Sequence, residues 1–253
     1  MFAPERQKRI LELLNAEGAV MVSKLSSELG VTEETVRRDL EKLESKELLR
    51  RTHGGALPID GGTYEYSLEK RKGLNVECKQ ELAHKAVQYI ASGDTIFLDA
   101  STTTFYLSKE LKSMKNITVI TNSIRVINEL MGVEGIKVIA VGGIVSNNQS
   151  FVGTMAENHI TENYFADKMF FSSKGINEAV GILESNEQEC FIKQRMIKNS
   201  RTHYYLCDKS KIGRIGFVKL ASFEDIDYLI TDAELSDEVK ANLNESGVEL
   251  VNL

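Results

Sequence analysis

Thr32-Glu33-Glu34-Thr35-Val36-Arg37-Arg38-Asp39-Leu40-Glu41-Lys42-Leu43 is the stretch that decides how this chain begins. Val36, Leu40 and Leu43 recur at i, i+4 and i+7, the spacing of one buried helix face. Thr32 stands where an N-cap belongs, and Glu33 and Glu34 fall in the first turn, where carboxylates favour the positive end of the helix dipole. The opposite face presents Glu34, Thr35, Arg37, Arg38 and Glu41. Adjacent arginines are most often a solvated surface, so their meaning has to come from the sequence on either side.

Upstream, Ile10, Leu11, Leu13, Leu14 and Ala16 give an amphipathic helix over about 5–17, closed by Gly18. The β-branched stretch Ala19-Val20-Met21-Val22 follows, and Ser23 is placed to cap a short helix over 24–29 that Gly30 ends. Downstream, Leu48 to Pro58 carries Gly54-Gly55 at its centre and reads as a two-stranded wing. Helix, helix, turn, helix and wing in fewer than about 60 residues describe a winged helix-turn-helix. In that motif the N-terminal half of the third helix enters the DNA major groove, which is where Arg37 and Arg38 lie. An arginine fork bonds O6 and N7 of guanine or clamps a phosphate. Thr35 is short enough for close approach, and Thr32, Lys24, Arg51 and His53 are the further DNA-contact candidates, with Arg50 beside them. Asp39 is placed to hold an arginine or orient Lys42.

The net charge argues the other way at first count. The chain has 253 residues with 31 Lys+Arg against 37 Asp+Glu, a net charge of −6. Residues 1–57 hold ten of each sign, so all of the −6 lies beyond them. The total therefore hides a positive reading face made by position. An apolar content of 42% with 27% charged residues fits a globular protein and excludes a disordered or fibrous one. No apolar run of membrane-spanning length exists and the N-terminus lacks an apolar signal core, so a cytoplasmic protein with no membrane contact is expected. Cys78, Cys190 and Cys207 have neither the number nor the spacing of a disulfide framework or a zinc site.

The expected domains are 1–57, a polar linker over 58–76, and 77–253. From Glu77 on, apolar runs (TIFLD, ITVIT, IKVIAV, KMFFSS, HYYLC, YLIT) alternate with helical patterns. That order predicts an α/β domain of Rossmann type, a parallel sheet covered on both faces. Ligands in such sheets sit beyond the strands' carboxyl ends, at helix N-termini. Several strand ends turn polar together: Asp99 with Ser101, Thr102, Thr103 and Thr104; Thr121, Asn122 and Ser123; Gly142 and Gly143; Lys174 and Gly175; Asp208 and Lys211. Each set alone reads as helix capping, but five at one sheet edge suggest a pocket for a polyhydroxyl anion. Asp99 or Glu187 would bind hydroxyls, and the Ser/Thr loop with a lysine would bind phosphate, Lys193 being a further effector-binding candidate. Phe151, Phe170, Phe171 and Tyr204 are expected in the core. His84, His159 and His203 have no partner spacing for metal or triad chemistry, and Cys207 belongs to a buried strand.

The head resembles the DeoR family of bacterial transcriptional regulators. The family's spacing is met by Arg6, Ile10 and Leu14, a gap to Thr32, then Thr35-Val36-Arg37-Arg38-Asp39-Leu40, and its HGGA wing ending by His53–Ala56. The C-terminal part is similar to the family's sensor domain in LDASTT, TNS, VGG, FVG at 151–153, Asp167-Lys168, Lys174-Gly175-Ile176, Glu187 with Lys193, and DKSKIG at 208–213. Ala100-Ser101 and Cys78-Lys79 depart from the commoner Gly or Ser-Gly and Glu-Lys. The resemblance implies a sensor similar to sugar-phosphate isomerases, a phosphorylated sugar as effector, and a repressor of a sugar-utilisation operon with no cofactor. The competing reading is a sugar-phosphate isomerase or deaminase with an appended DNA-binding domain, for which Asp99, Glu187 and Asp208 would be the available bases. A palindromic operator read by small heads rewards symmetry, so a homodimer or homotetramer is expected.

Overall fold

The computed structural model describes residues 2–17, 19–46, 48–57 and 66–253, with the side chains of 15–17 outside that description. Gly18, Pro58 and the 58–65 part of the predicted linker fall outside the described residues. The chain divides into two compact units, Met1–Tyr66 and Ser67–Leu253.

The first unit contains α1 (Ala3–Glu17), β1 (Val20–Met21), α2 (Val22–Leu29), α3 (Glu33–Ser45), β2 (Arg50–Thr52) and β3 (Gly55–Leu57). Ile10, Leu14, Leu25, Val36, Leu40, Leu43 and Leu49 bury together as its core. Thr32 caps α3 by accepting from the backbone N–H of Thr35. Gly30 takes the left-handed conformation that ends α2. Two local expectations change. The residue before α2 is Met21 and no side chain caps it, so Ser23 lies inside the helix. The wing sheet has three strands in the order β1-β3-β2, because the β-branched stretch after α1 joins it. Gly55 makes that pairing possible, since a Cβ there would stand 1.9 Å from the carbonyl oxygen of Val20.

The second unit opens with α4 (Leu68–Gly73), within the expected linker, and α5 (Val76–Val87). Then come β4 (Thr95–Leu98), α6 (Thr102–Glu110), β5 (Ile117–Thr121), α7 (Ile124–Leu130), β6 (Ile136–Ala140), the hairpin β7 (Ile144–Val145) and β8 (Phe151–Val152), α8 (Thr154–Asn163) and β9 (Ala166–Phe171). After these follow β10 (Gly175–Asn177), β11 (Gly181–Glu184), α9 (Glu187–Lys198), β12 (Ser200–Cys207), β13 (Val218–Ala221), β14 (Tyr228–Thr231), α10 (Asp237–Glu245) and β15 (Glu249–Asn252). Seven strands form one sheet in the order β15-β14-β12-β9-β4-β5-β6, and every pairing in it is parallel.

Alternation along the strands fills two cores. Ile96, Leu98, Phe170 and Tyr204 face a layer of Leu82, Leu107 and Val126 from α5, α6 and α7. Phe97, Met169, Phe171 and Tyr205 face Ile160, Ile192 and Leu243 from α8, α9 and α10. This is the expected α/β sandwich. Phe170, Phe171 and Tyr204 are core residues, and Phe170 and Tyr228 stack on either side of Tyr204 at 4.6 Å. Phe151 packs at the partly exposed start of β8. The small antiparallel sheet β10-β11-β13 was not read from the sequence. Strand order reverses between β4 and β9, so the ligand crevice of such a sheet belongs beyond Leu98 and Phe171.

Candidate functional site

The exposed face of α3 carries the side chains expected there. Arg37 and Arg38 are exposed, and each is held by a carboxylate one turn back: Arg37 to Glu33 at 2.6 Å and Arg38 to Glu34 at 3.3 Å. Thr35 shares a hydroxyl contact of 2.9 Å with Thr32. Arg51 lies 3.7 Å from Glu44 on the exposed strand β2, and His53 is exposed in the turn that follows. Lys24 is exposed on α2. Asp39 does not orient Lys42. It is buried, accepts from Arg6 at 2.5 Å and from Gln7 at 2.9 Å, and so ties α1 to the back of the reading helix.

In the sensor unit the strand ends converge at the reversal point. Asp99 is fully buried, and Thr104 donates to its carboxylate at 2.7 Å. Lys193, also buried, reaches Asp99 at 3.0 Å, Glu184 at 2.5 Å and the carbonyl of Ser172 at 2.7 Å. Burial alone would lower the pKa of Lys193, but Glu184 and Asp99 outweigh it and raise it. Its charge is thus spent on two carboxylates, which makes it the floor of the site. Glu187 is not beside it. It sits on the exposed first turn of α9, while the buried acids near Lys193 are Glu184 and Glu189.

Hydroxyls at this edge are largely committed inward. Ser101 caps α6 through the N–H of Thr104, and Ser123 caps α7 through that of Val126. Thr121 donates to Leu98. The backbone N–H groups of Thr102 and Thr103 have no acceptor among the described residues, so the N-terminus of α6 keeps free donors. Thr103 Oγ1, Asn122 Oδ1 and Arg125 Nη1 are buried without a partner among the described residues.

Lys211 lies 4.0 Å from Asp208 and donates to the hydroxyl of Ser172. Asp208 accepts from the N–H of Ser210 and the amide of Asn75, and Lys211 helps hold its pKa below the ordinary range despite burial. Lys79 completes the edge. It is buried, donates to the carbonyls of Arg71 at 2.7 Å and Leu74 at 2.6 Å, and is brought down to about 8. Burial is the main cause, followed by the charge of Lys211; Arg71 and Arg125 push the same way, and Asp208 opposes them. Four cations therefore crowd the carboxyl ends of the strands, and an anion is the natural complement.

Gly143 and Gly175 serve packing. A Cβ on Gly143 would meet Val152 O at 2.8 Å, and one on Gly175 would meet Arg214 O at 2.5 Å. Gly142 has open space around it. Lys174 is partly exposed, and its backbone N–H joins Leu183 of the small sheet. A neighbouring cleft of about 440 Å³ carries Glu77, Asp208 and Asp232 in its wall against Lys209, a lining suited to hydroxyls and not to phosphate. Cys78, Cys190 and Cys207 are free thiols pushed up to about 12, chiefly by burial. No cluster of potential metal ligands occurs among the described residues. Sequence reasoning missed Arg71, Lys79 and Arg125. Arg71 and Lys79 belong to a stretch read as linker or as helix start, and Arg125 lies two residues past the polar strand end.

Winged helix-turn-helix followed by a parallel α/β sensor defines a two-domain, ligand-responsive transcription regulator. Residues 6–61 match the DeoR-like helix-turn-helix domain and residues 74–233 the DeoR C terminal sensor domain. An uncharacterized HTH-type transcriptional regulator, YulB of Bacillus subtilis, is 41% identical over 99% of this chain and 96% of its own. The regulator GlpR of Haloferax volcanii is 32% identical over 100% and 98%, and a lactose phosphotransferase system repressor of Staphylococcus epidermidis 33% over 98% of each. The chain belongs to the DeoR family of DNA-binding transcriptional regulators, and it is a regulator, not an enzyme. Among solved structures, ribose 5-phosphate isomerase A of Methanocaldococcus jannaschii aligns over 55% of each chain at 17% identity with a TM-score of 0.42.

Proposed function

We propose that this protein represses a sugar-utilisation operon and that a phosphorylated sugar bound at the carboxyl edge of the seven-stranded sheet relieves the repression. The observation that carries the reading is the cluster of Arg71, Arg125 and Lys211 whose charges act on Lys79, together with the free N–H groups of Thr102 and Thr103 at the N-terminus of α6. A helix N-terminus supplies directed donors and a favourable dipole, and the cations supply charge. Asp208 is the carboxylate offered to sugar hydroxyls, while Asp99, fully buried against Lys193 and Thr104, holds Lys193 in place and Asn122 stands at the end of the next strand, β5. Relatives support the sugar link. One is named a lactose phosphotransferase system repressor, and the L-fucose operon activator of Haemophilus influenzae shows that the sign of control varies among them.

In the head, Arg37 and Arg38 read bases, Thr32 and Thr35 set the close approach, and Lys24, Arg51 and His53 hold the backbone. Two heads on a palindromic operator require at least a homodimer. No helix among the described residues is long and apolar enough to cross a membrane, and with three free thiols this supports a place in the cytoplasm. A thermal-shift panel of sugar phosphates tests the effector reading. A true effector at about 100 times its Kd adds roughly 2.7 kcal/mol of stability. No stabilisation by any phosphosugar would contradict it.

A further inference from the structure

We propose that Arg125 is the residue through which the sensor selects among phosphorylated sugars, taking an oxygen of the sugar ring or chain while the anion is held by α6, Lys79 and Lys211. The inference rests on the effector reading above and adds the part of the site that would distinguish one sugar from another.

Arg125 sits in the first turn of α7, at the same strand end as Thr121, Asn122 and Ser123. Its guanidinium carbon lies 3.9 Å from the ring centroid of Phe105 on α6, a cation–π contact that anchors the fork over the ring. No carboxylate comes within 4.0 Å of it among the described residues, although Arg38 and Arg195 each have one. Desolvation, the largest effect, pulls its pKa below the usual arginine value and the like charge of Arg71 adds to this, while Tyr106, Glu69 and Glu129 oppose it. Nη1 is buried and has no partner among the described residues. This is an arginine held in place and left with an unused donor.

The unpaired atoms at the ends of the adjacent strands β4 and β5 give the chemistry. Asn122 keeps its amide nitrogen on the carbonyl of Phe151 at 3.1 Å, which turns Oδ1 into a buried, unused acceptor. Thr103 Oγ1, on the first turn of α6, is a third unpartnered group. A fully ionised phosphate can satisfy the arginine donor but not the asparagine acceptor. Sugar hydroxyls have both capacities, accepting as Arg125 requires and donating as Asn122 requires. A site whose buried polar groups need a particular hydroxyl rejects the analogue that lacks or misplaces it.

The test uses the full chain and titrates it with inorganic phosphate, ribose 5-phosphate, fructose 1-phosphate, and the 6-phosphates of fructose, glucose, mannose and galactose. Wild-type protein is expected to rank these sugars. In Arg125→Leu the best sugar phosphate should lose about 10- to 100-fold in affinity, the scale of one lost charge-assisted hydrogen bond. Inorganic phosphate should change by less than about twofold, and the ranking of epimers should flatten. Arg125→Lys keeps the charge but not the fork, so it should flatten the ranking too; it carries the test if the leucine variant does not fold. An unchanged ranking, or an equal loss for phosphate and sugars, would overturn the assignment while leaving the effector reading intact. Absence of phosphosugar binding to the wild type would overturn both.

Discussion

At the scale of single residues, the head and the sensor each carry charges held in reserve. Arg37 and Arg38 are already paired with Glu33 and Glu34, in exposed i,i+4 contacts that contribute only about 0.3–0.5 kcal/mol each. DNA needs to displace little to recruit them. Arg37→Ala should weaken operator binding by about 1–3 kcal/mol and relax base preference at one position of each half-site. Glu33→Gln should leave specificity unchanged and strengthen binding slightly. Fluorescence anisotropy against a set of single-base operator variants reads both. In the sensor, Lys79 titrates near 8, against 10.5 when unperturbed, because burial and the charges of Lys211, Arg71 and Arg125 outweigh Asp208. Between those values the unfolded chain binds the extra proton, so this residue makes the ligand-free protein more stable as pH rises from about 8 towards 10.5. A bound anion favours protonated Lys79. Effector affinity should therefore fall as pH rises through about 8, with proton uptake on binding in calorimetry compared across two buffers.

At the scale of elements, the sequence announced some devices and concealed others. Thr32, Gly30 and the i, i+4, i+7 face of α3 were legible because their causes are local. The long-range partner of Asp39 was not: Arg6 is 33 residues away, and only packing of α1 on α3 brings it within 2.5 Å. Removing one side of a buried pair leaves the other charge uncompensated, so Asp39→Ala should destabilise the head by about 3–5 kcal/mol. Loss of protection of α1 amides in hydrogen exchange would show it, with sensor amides unaffected. Gly55 is a second such case. Its sequence context suggested a turn, but the pairing of β1 with β3 forbids a side chain there, so Gly55→Val should open the wing and cost DNA affinity without touching α3. In the sensor the strands and their polar ends were readable from alternation. The acid that meets Lys193 was not, because Glu184 ends a short strand of a small sheet that has little apolar length to signal it.

At the scale of the whole molecule, the net charge of −6 is carried entirely by residues beyond 57. Non-specific attraction to DNA is electrostatic, so an acidic body should keep it weak, and on the proposed reading selectivity falls to Arg37 and Arg38. The salt dependence of operator binding should accordingly be shallower than that of a strongly basic regulator. Replacing Arg51 by Ala should reduce the slope further and weaken binding to all sequences alike. Communication between the two units has to be expressed as a difference in effector affinity between DNA-bound and free protein, since a ligand shifts only an equilibrium whose states it distinguishes. The most direct measurement is operator affinity of the full chain in the presence and absence of saturating effector, for wild type and Lys211→Ala. The predicted result is a change of about tenfold or more in the wild type, on the usual scale of allosteric coupling, that in the variant requires far more effector while DNA binding without effector stays the same. Operator affinity that no phosphorylated sugar alters, or an effector response untouched by loss of Lys211, would contradict the account.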